Sequence, residues 1–216
     1  MQIELDHLFV CTSVGAPEAE DLVRFGLQEG PPNQHPGQGT ANRRFAFVNA
    51  MLELLWVSDA REAQSERIQR TQLFRRWSGR GRETCPFGIA LRPAHPDCIT
   101  PPFPAWEHRP IYLPDPLVMH VAESGLEEPM WFFLNSMMRA DRERQFIEHP
   151  ARVRQITGLE LISPVALRSS ASQTMVESSV LSSRKGPEFL LQIEFDGNRC
   201  NQYVDFRPKL PLIFRL

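Results

Sequence analysis

Residues 35–57 read HPGQGTANRRFAFVNAMLELLWV, and within them Met51 to Val57 is the strongest strand signal in the chain. Successive side chains of a strand point to opposite faces, so Met51, Glu53, Leu55 and Val57 share one face and Leu52, Leu54 and Trp56 the other. The strand is otherwise apolar. Glu53 is the exception. An ionised carboxylate between Leu52 and Leu54 needs a cation or several donors, or its pKa rises. That need marks Glu53 as a candidate functional residue. The bland alternative is a buried His–Glu hydrogen-bonded pair.

Working outward, Arg43 to Asn49 alternates as a second strand, with Phe45, Phe47 and Asn49 on one face. Gln28 to Thr40 is rich in Gly, Pro and Asn and reads as a loop. Pro17 to Leu27 reads as a helix: Pro17 suits its first position, Glu18, Glu20 and Asp21 suit its positive end, and Gly26 ends it. Ile3 to Thr12 reads as a buried strand with Ile3, Leu5, His7 and Phe9 on one face. Downstream, Arg61 to Trp77 reads as one helix anchored by Ile68, Leu73, Phe74 and Trp77 and broken by Gly79 and Gly81. Strands are then expected at Phe87 to Arg92, His108 to Leu113, Leu117 to Glu123, Met130 to Asn135, Thr157 to Ser163, Phe189 to Phe195 and Tyr203 to Phe206. A helix is expected over Met137 to Ile147, and Asp196-Gly197 is a hairpin signal. This is an α+β pattern whose second half partly echoes its first.

LDHLFV in the first strand, an acidic helix, RRFAFVN and MLELLWV together resemble the vicinal oxygen chelate superfamily, which includes glyoxalase I, bleomycin-resistance proteins and extradiol dioxygenases. The likeness is to its uncharacterised glyoxalase-like branch. The resemblance implies paired βαβββ modules forming a curved mixed sheet, a cup or partial barrel, with helices outside. It implies residues 1–60 as the first module, 61–84 as a helical connector, and 85–216 as a second, divergent module with a C-terminal strand extension, all in one integrated domain. It also implies a divalent metal held by a first-strand His and a fourth-strand Glu of each module. In the first module those positions are His7 and Glu53, which are therefore the candidate catalytic residues and metal ligands. Imidazole and carboxylate suit a divalent ion, whose open positions would bind two substrate oxygens.

The second half departs from that pattern. Gly88 falls where a His is needed, and Trp131 or Phe132 where a Glu is needed. His120 is the candidate third ligand, with Glu123, Glu160 and Glu194 as alternatives. Two protein ligands make a weak site, since catalytic zinc normally has three.

Two functions stand side by side. One is a metal-dependent lyase, isomerase or dioxygenase. The other is a metal-free protein of the bleomycin-resistance type that binds or sequesters a small molecule. Under either, HPGQGTANRR reads as a pocket lid, and His35, Asn42, Arg44, Asn49 and Trp131 as candidate substrate-binding residues; an ordinary turn and core packing are the plain alternatives. A divalent cofactor and no cofactor are equally open, as is a homodimer.

The rest of the chain narrows the classes. The 216 residues are 42% hydrophobic and 23% charged with a net charge of -2, an ordinary globular composition with no bias toward nucleic acid or acidic membranes. The arginines between Arg61 and Arg82 read as a solvated helix face and linker. MQIELDHLFV has no basic region before its apolar run, and no stretch is long enough to span a bilayer. Four scattered cysteines form no C-x-x-C pair, so the expected compartment is the cytoplasm.

Overall fold

The computed structural model describes residues 3–81, 83–136 and 147–216. The helix expected over Met137 to Ile147 lies, but for Ile147, outside the described residues.

Eight strands form one mixed sheet. Strand β1 (Ile3–Cys11), helix α1 (Ala19–Phe25), β2 (Asn33–His35), β3 (Thr40–Ala46) and β4 (Met51–Val57) make the first module. Strands β5 (Phe87–Pro93), β6 (Ala105–His108), β7 (Met119–Ala122) and β8 (Met130–Leu134) make the second. The order is β2-β3-β4-β1-β5-β8-β7-β6. β1 runs parallel to β4, and β5 parallel to β8, while β1 and β5 meet antiparallel at the centre. The second half thus repeats the first about the β1–β5 seam, as the sequence echo implies.

The two modules differ in one element. The chain from 94 to 104, between β5 and β6, carries Pro96, Pro101, Pro102 and Pro104 and forms bends and turns where the first module has α1. Proline removes donors and clashes in a helix interior, which rules out a helix there. A helix from much further along the chain covers this part of the sheet instead. It is residues Ser170–Glu177, whose Ser172 Oγ accepts a 2.8 Å hydrogen bond from Nε1 of the fully buried Trp131 on β8.

The expected Arg61–Trp77 helix is three short ones: α2 (Ala60–Ala63), α3 (Glu66–Gln69) and α4 (Leu73–Ser78). Asp59 caps α2 by accepting from Arg61 N and Glu62 N, and Ser65 starts a new helix. Gln72, with φ at 57°, separates α3 from α4. Ser170–Glu177 is therefore α5.

The C-terminal strands do not close the cup. β9 (Ile156–Ser163), β10 (Ser182–Lys185), β11 (Leu190–Phe195), β12 (Tyr203–Asp205) and β13 (Leu212–Arg215) form a second sheet, ordered β10-β9-β11-β13-β12. Asp196-Gly197 makes a turn but no hairpin, because β11 pairs with β9 and β13 and not with β12. The Asp196 carboxylate accepts from the backbone of Arg154 and Gln155.

The main core lies between the outer face of the eight-stranded sheet and the five-stranded sheet. It joins Leu8, Val10, Leu52, Leu54, Trp131 and Phe133 to Leu161, Leu191, Ile193 and Phe214. Asn49 staples the two sheets: Nδ2 donates to Ile156 O at 2.6 Å, and Oδ1 accepts from Ile156 N at 2.9 Å. A smaller core on the inner face holds Phe9, Cys11, Leu55, Leu73, Ala90, Met119, Val121, Met130 and Phe132. No described helix is long and apolar enough to cross a membrane.

His149 makes a pH-dependent joint in this framework. Nδ1 accepts from Gln28 N at 2.9 Å and Nε2 donates to Ala46 O at 3.0 Å, an arrangement only the neutral ring can make. Burial lowers its pKa below the usual 6.5. A histidine whose folded pKa is depressed takes up its proton more readily when unfolded, so its stabilising effect is lost as pH falls below about 6.5. Stability is expected to drop between about pH 7.5 and about pH 5.5, and less so in His149→Gln. Parallel melting curves at the two pH values check this, and equal pH sensitivity in both proteins would refute it.

Candidate functional site

The inner face of the curved sheet encloses a cavity of about 540 Å³. His7 and Phe9 of β1, Arg44 of β3, Met51, Glu53 and Leu55 of β4, and Met130, Phe132 and Leu134 of β8 line it. The volume lies within the range of small-molecule pockets.

A β-bulge sets the polar end. Leu5 pairs with Leu91, but His7 pairs with Ala90, so Asp6 is an extra residue in β1. Bulges re-aim side chains. Ile3 and Leu5 face the main core, whereas His7 and Phe9 face the cavity, which corrects the single face expected for all four. The bulge also lets Asp6 and His7, neighbours in sequence, line the same cavity.

Asp6 and His7 form a tight pair. Nδ1 of His7 lies 2.7 Å from Oδ1 of Asp6. Arg92 of β5, only 1% exposed, donates to the other Asp6 oxygen at 3.2 Å, to Glu4 at 2.8 Å and to Asn49 O at 3.1 Å. Burial raises the Asp6 pKa, but His7 and Arg92 outweigh it and the net shift is downward. Asp6 is therefore a carboxylate, which only accepts, and His7 Nδ1 carries the proton. This leaves Nε2 as the ring nitrogen not held by Asp6. Burial opposes a charge on His7, yet the negative charge of Glu53 and the bond to Asp6 raise its pKa overall.

Glu53 is 6% exposed and lines the cavity. Arg44 is its register partner on β3 but donates through Nε to Pro31 O at 2.6 Å. Among the described residues no cation comes within ion-pair distance of Glu53, and it accepts no hydrogen bond.

A second polar cluster lies at the β2–β3 end. Asn33 Nδ2 donates to His35 Nε2, so His35 Nδ1 donates to Thr40 Oγ1 at 2.9 Å. Gln38 Nε2 also donates to Thr40 Oγ1, at 2.7 Å, and Gln38 Oε1 accepts from Tyr112 OH at 3.0 Å. Burial lowers the His35 pKa and raises that of Tyr112. Tyr112 belongs to the β6–β7 loop, whose residues 112–117 roof the cavity. Its neighbour Ile111 packs over Gly37, where a Cβ would come within 2.6 Å of Ile Cδ1. The second module is thus strapped to the first across the cavity mouth.

The candidate residues fall into two groups. His7, Glu53, His35 and Arg44 line the cavity together. The others do not. His120 and Trp131 sit one position out of phase with the cavity residues Met119, Met130 and Phe132, and point to the other face of the sheet. Asn49 is spent on the inter-sheet staple. Asn42 is fully buried beneath the cavity lining, and neither side-chain atom has a hydrogen-bond partner among the described residues. Glu160 and Glu194 belong to the second sheet, near Arg184 and Arg215. Asp6, Phe9, Gln38 and Tyr112 were not singled out by sequence. The bulge leaves no mark in the residue pattern, and the contact of Gln38 with Tyr112 spans two modules.

A family profile described as a glyoxalase-like domain matches residues 5–174. The chain belongs to the glyoxalase-like domain family, within the vicinal oxygen chelate superfamily. No curated protein matches it. The fold of this glyoxalase-like domain is similar to that in the crystal structure of a hypothetical protein from Staphylococcus aureus. The TM-score is 0.52 with 11% sequence identity, over 98% of each chain.

The glyoxalase-like symmetry permits a direct test of the metal positions. Leu8 pairs with Ile89 across the seam; exchanging the modules about that pair sends His7 to Gly88 and Phe9 to Ala90. Glu53, beside Phe9, goes to Phe132, beside Ala90. A Cβ at Gly88 would collide with the Phe9 ring, which fills the place of a second histidine. Among the described residues no group of three or more His, Cys, Asp or Glu side chains could hold a metal ion. The donor set of this glyoxalase-like domain does not fit the metal centre that its symmetry would place there.

Proposed function

We propose that this glyoxalase-like chain binds a small molecule in the cup without a metal ion. The ligand's apolar body lies against Phe9, Met119, Met130 and Phe132, and its polar head against His7 and Glu53. The observation that carries this reading is the filling of both second-module ligand positions by aromatic rings, Phe9 over Gly88 and Phe132. That exchange turns half of a metal site into an apolar wall, which rewards burial of an apolar ligand by about 25 cal/mol per Å².

The metal-dependent lyase, isomerase or dioxygenase is the competing reading, supported by retention of His7 and Glu53 together. Metal analysis separates the two. Purified protein, before and after incubation with divalent metals, is expected to carry far less than one ion per chain, with no difference in His7→Ala or Glu53→Gln. Stoichiometric metal lost in both variants would overturn the proposal. The neutral probe 1-naphthylmethanol is expected to bind the wild type, and to bind Phe132→Asp at least about tenfold more weakly.

A further inference from the structure

The roof of the cup is one chain thick. Residues 112–117 line the cavity, yet Pro114, Asp115 and Pro116 are also exposed to solvent. The roof starts after His108, the last residue of β6, and ends at Val118, whose N–H donates to Asn135 Oδ1 at 2.7 Å. Between those anchors its backbone makes two hydrogen bonds, both internal: Leu113 N to Pro110 O and Leu117 N to Pro114 O. Among the described residues a single hydrogen bond ties 110–117 to any other part of the chain, from Tyr112 OH to Gln38 Oε1 at 3.0 Å. Apolar contact adds Leu113 against the inner core, the Tyr112 ring 4.8 Å from that of His35, and Ile111 over Gly37. His35, Gly37 and Gln38 all belong to the turn from β2 to β3, and β2 and β6 are opposite edges of the sheet.

We infer that residues 110–117 are a lid, hinged beside His108 and Val118 and latched by Tyr112 on the β2–β3 turn, that opens to pass the ligand. This rests on small-molecule binding in the cup. Segments with few outward hydrogen bonds open at low free-energy cost, and lids are drawn from them. The Tyr112–Gln38 bond is made in the closed state and broken in the open one, whether or not a ligand lies beneath. Its loss favours opening equally in both, so entry and exit speed up together. A residue that only walls the cavity would change the exit rate alone, and with it the affinity.

Chymotrypsin, which cleaves after tyrosine, tests the motion without a ligand. The Tyr112–Leu113 bond is reached only when the ring leaves its seat, and cleavage then follows the open population. Gln38→Ala deletes the latch and leaves the cleaved bond unaltered. It is expected to speed cleavage there, located by mass spectrometry, at least about fivefold, with a melting curve to show that the variant is folded. Stopped-flow binding of 1-naphthylmethanol reads the gate. In Tyr112→Phe both rates should rise at least about threefold, with their ratio moving less than either. Adding Tyr112→Phe to Gln38→Ala should change them less than about twofold, because the hydroxyl has no partner left. Unchanged cleavage in Gln38→Ala, or wild-type association in Tyr112→Phe, overturns the lid and leaves the cup reading standing. Faster cleavage with no probe binding to any of the proteins supports the moving roof and overturns the cup reading.

Discussion

Replacing Arg92 by methionine is expected to destabilise the protein by about 3–5 kcal/mol, because it strands buried partners of the guanidinium. Asp6 would lose the cation that offsets its burial, and Asn49 O one of its donors. Asn49 holds the two sheets together, so the loss spreads from the cup to the main core. The site should register the same change. The Arg92 charge holds the pKa of His7 down, so its removal should move the His7 titration upward. Denaturant unfolding gives the first quantity and the His7 ring shift against pH the second. In Asp6→Asn/Arg92→Met neither charge remains, and part of the stability should return. A cost below about 1 kcal/mol for the single variant would show that Arg92 is not the keystone of the cup.

Neighbouring aromatic residues on β8 should fail in different ways. Trp131→Ala removes a fully buried indole from the main core and is expected to cost about 3–5 kcal/mol. The indole also anchors a network, since Ser172 Oγ donates in turn to Glu128 Oε2 at 2.6 Å. Glu128 further accepts from Arg168 N, Ser169 N and Ser169 Oγ. Ligand affinity of whatever folded fraction remains should be unchanged. Phe132→Ala should do the reverse, weakening a neutral apolar ligand by about tenfold at a smaller cost in stability, because its ring borders open cavity. Melting curves paired with probe titration distinguish the two. Loss of affinity in Trp131→Ala at temperatures where it is folded would contradict the face assignment.

That contrast marks how far the sequence is legible. Period-two alternation in MLELLWV is enough to put Glu53 opposite Leu52 and Leu54, and the cavity lies on that side. The Gly and Pro punctuation locates the loops, and Gly26 ends α1 with φ at 107°. The site is less legible. His7 faces the cavity, but through a bulge that puts Ile3 and Leu5 on the other face, whereas alternation alone would keep the three together. On β8 the pattern offers Trp131 and Phe132 equally, since both are large and apolar, and only the register with β5 decides between them. The Ser172 hydroxyl that receives the Trp131 indole lies 41 residues away in the sequence, and no local pattern encodes such a pairing.

The Pro-rich bends between β5 and β6 leave the second module with no covering helix of its own, and α5 supplies it. Trp131 and Phe133 are therefore exposed on a nascent chain until at least residue 177 has left the ribosome. The first half has α1 over part of its outer face before the C-terminal sheet arrives; the second waits for sequence some 40 residues further on even for that partial cover. A chain that stops after β8 would present an oily, unfinished surface, and such fragments should aggregate or be degraded.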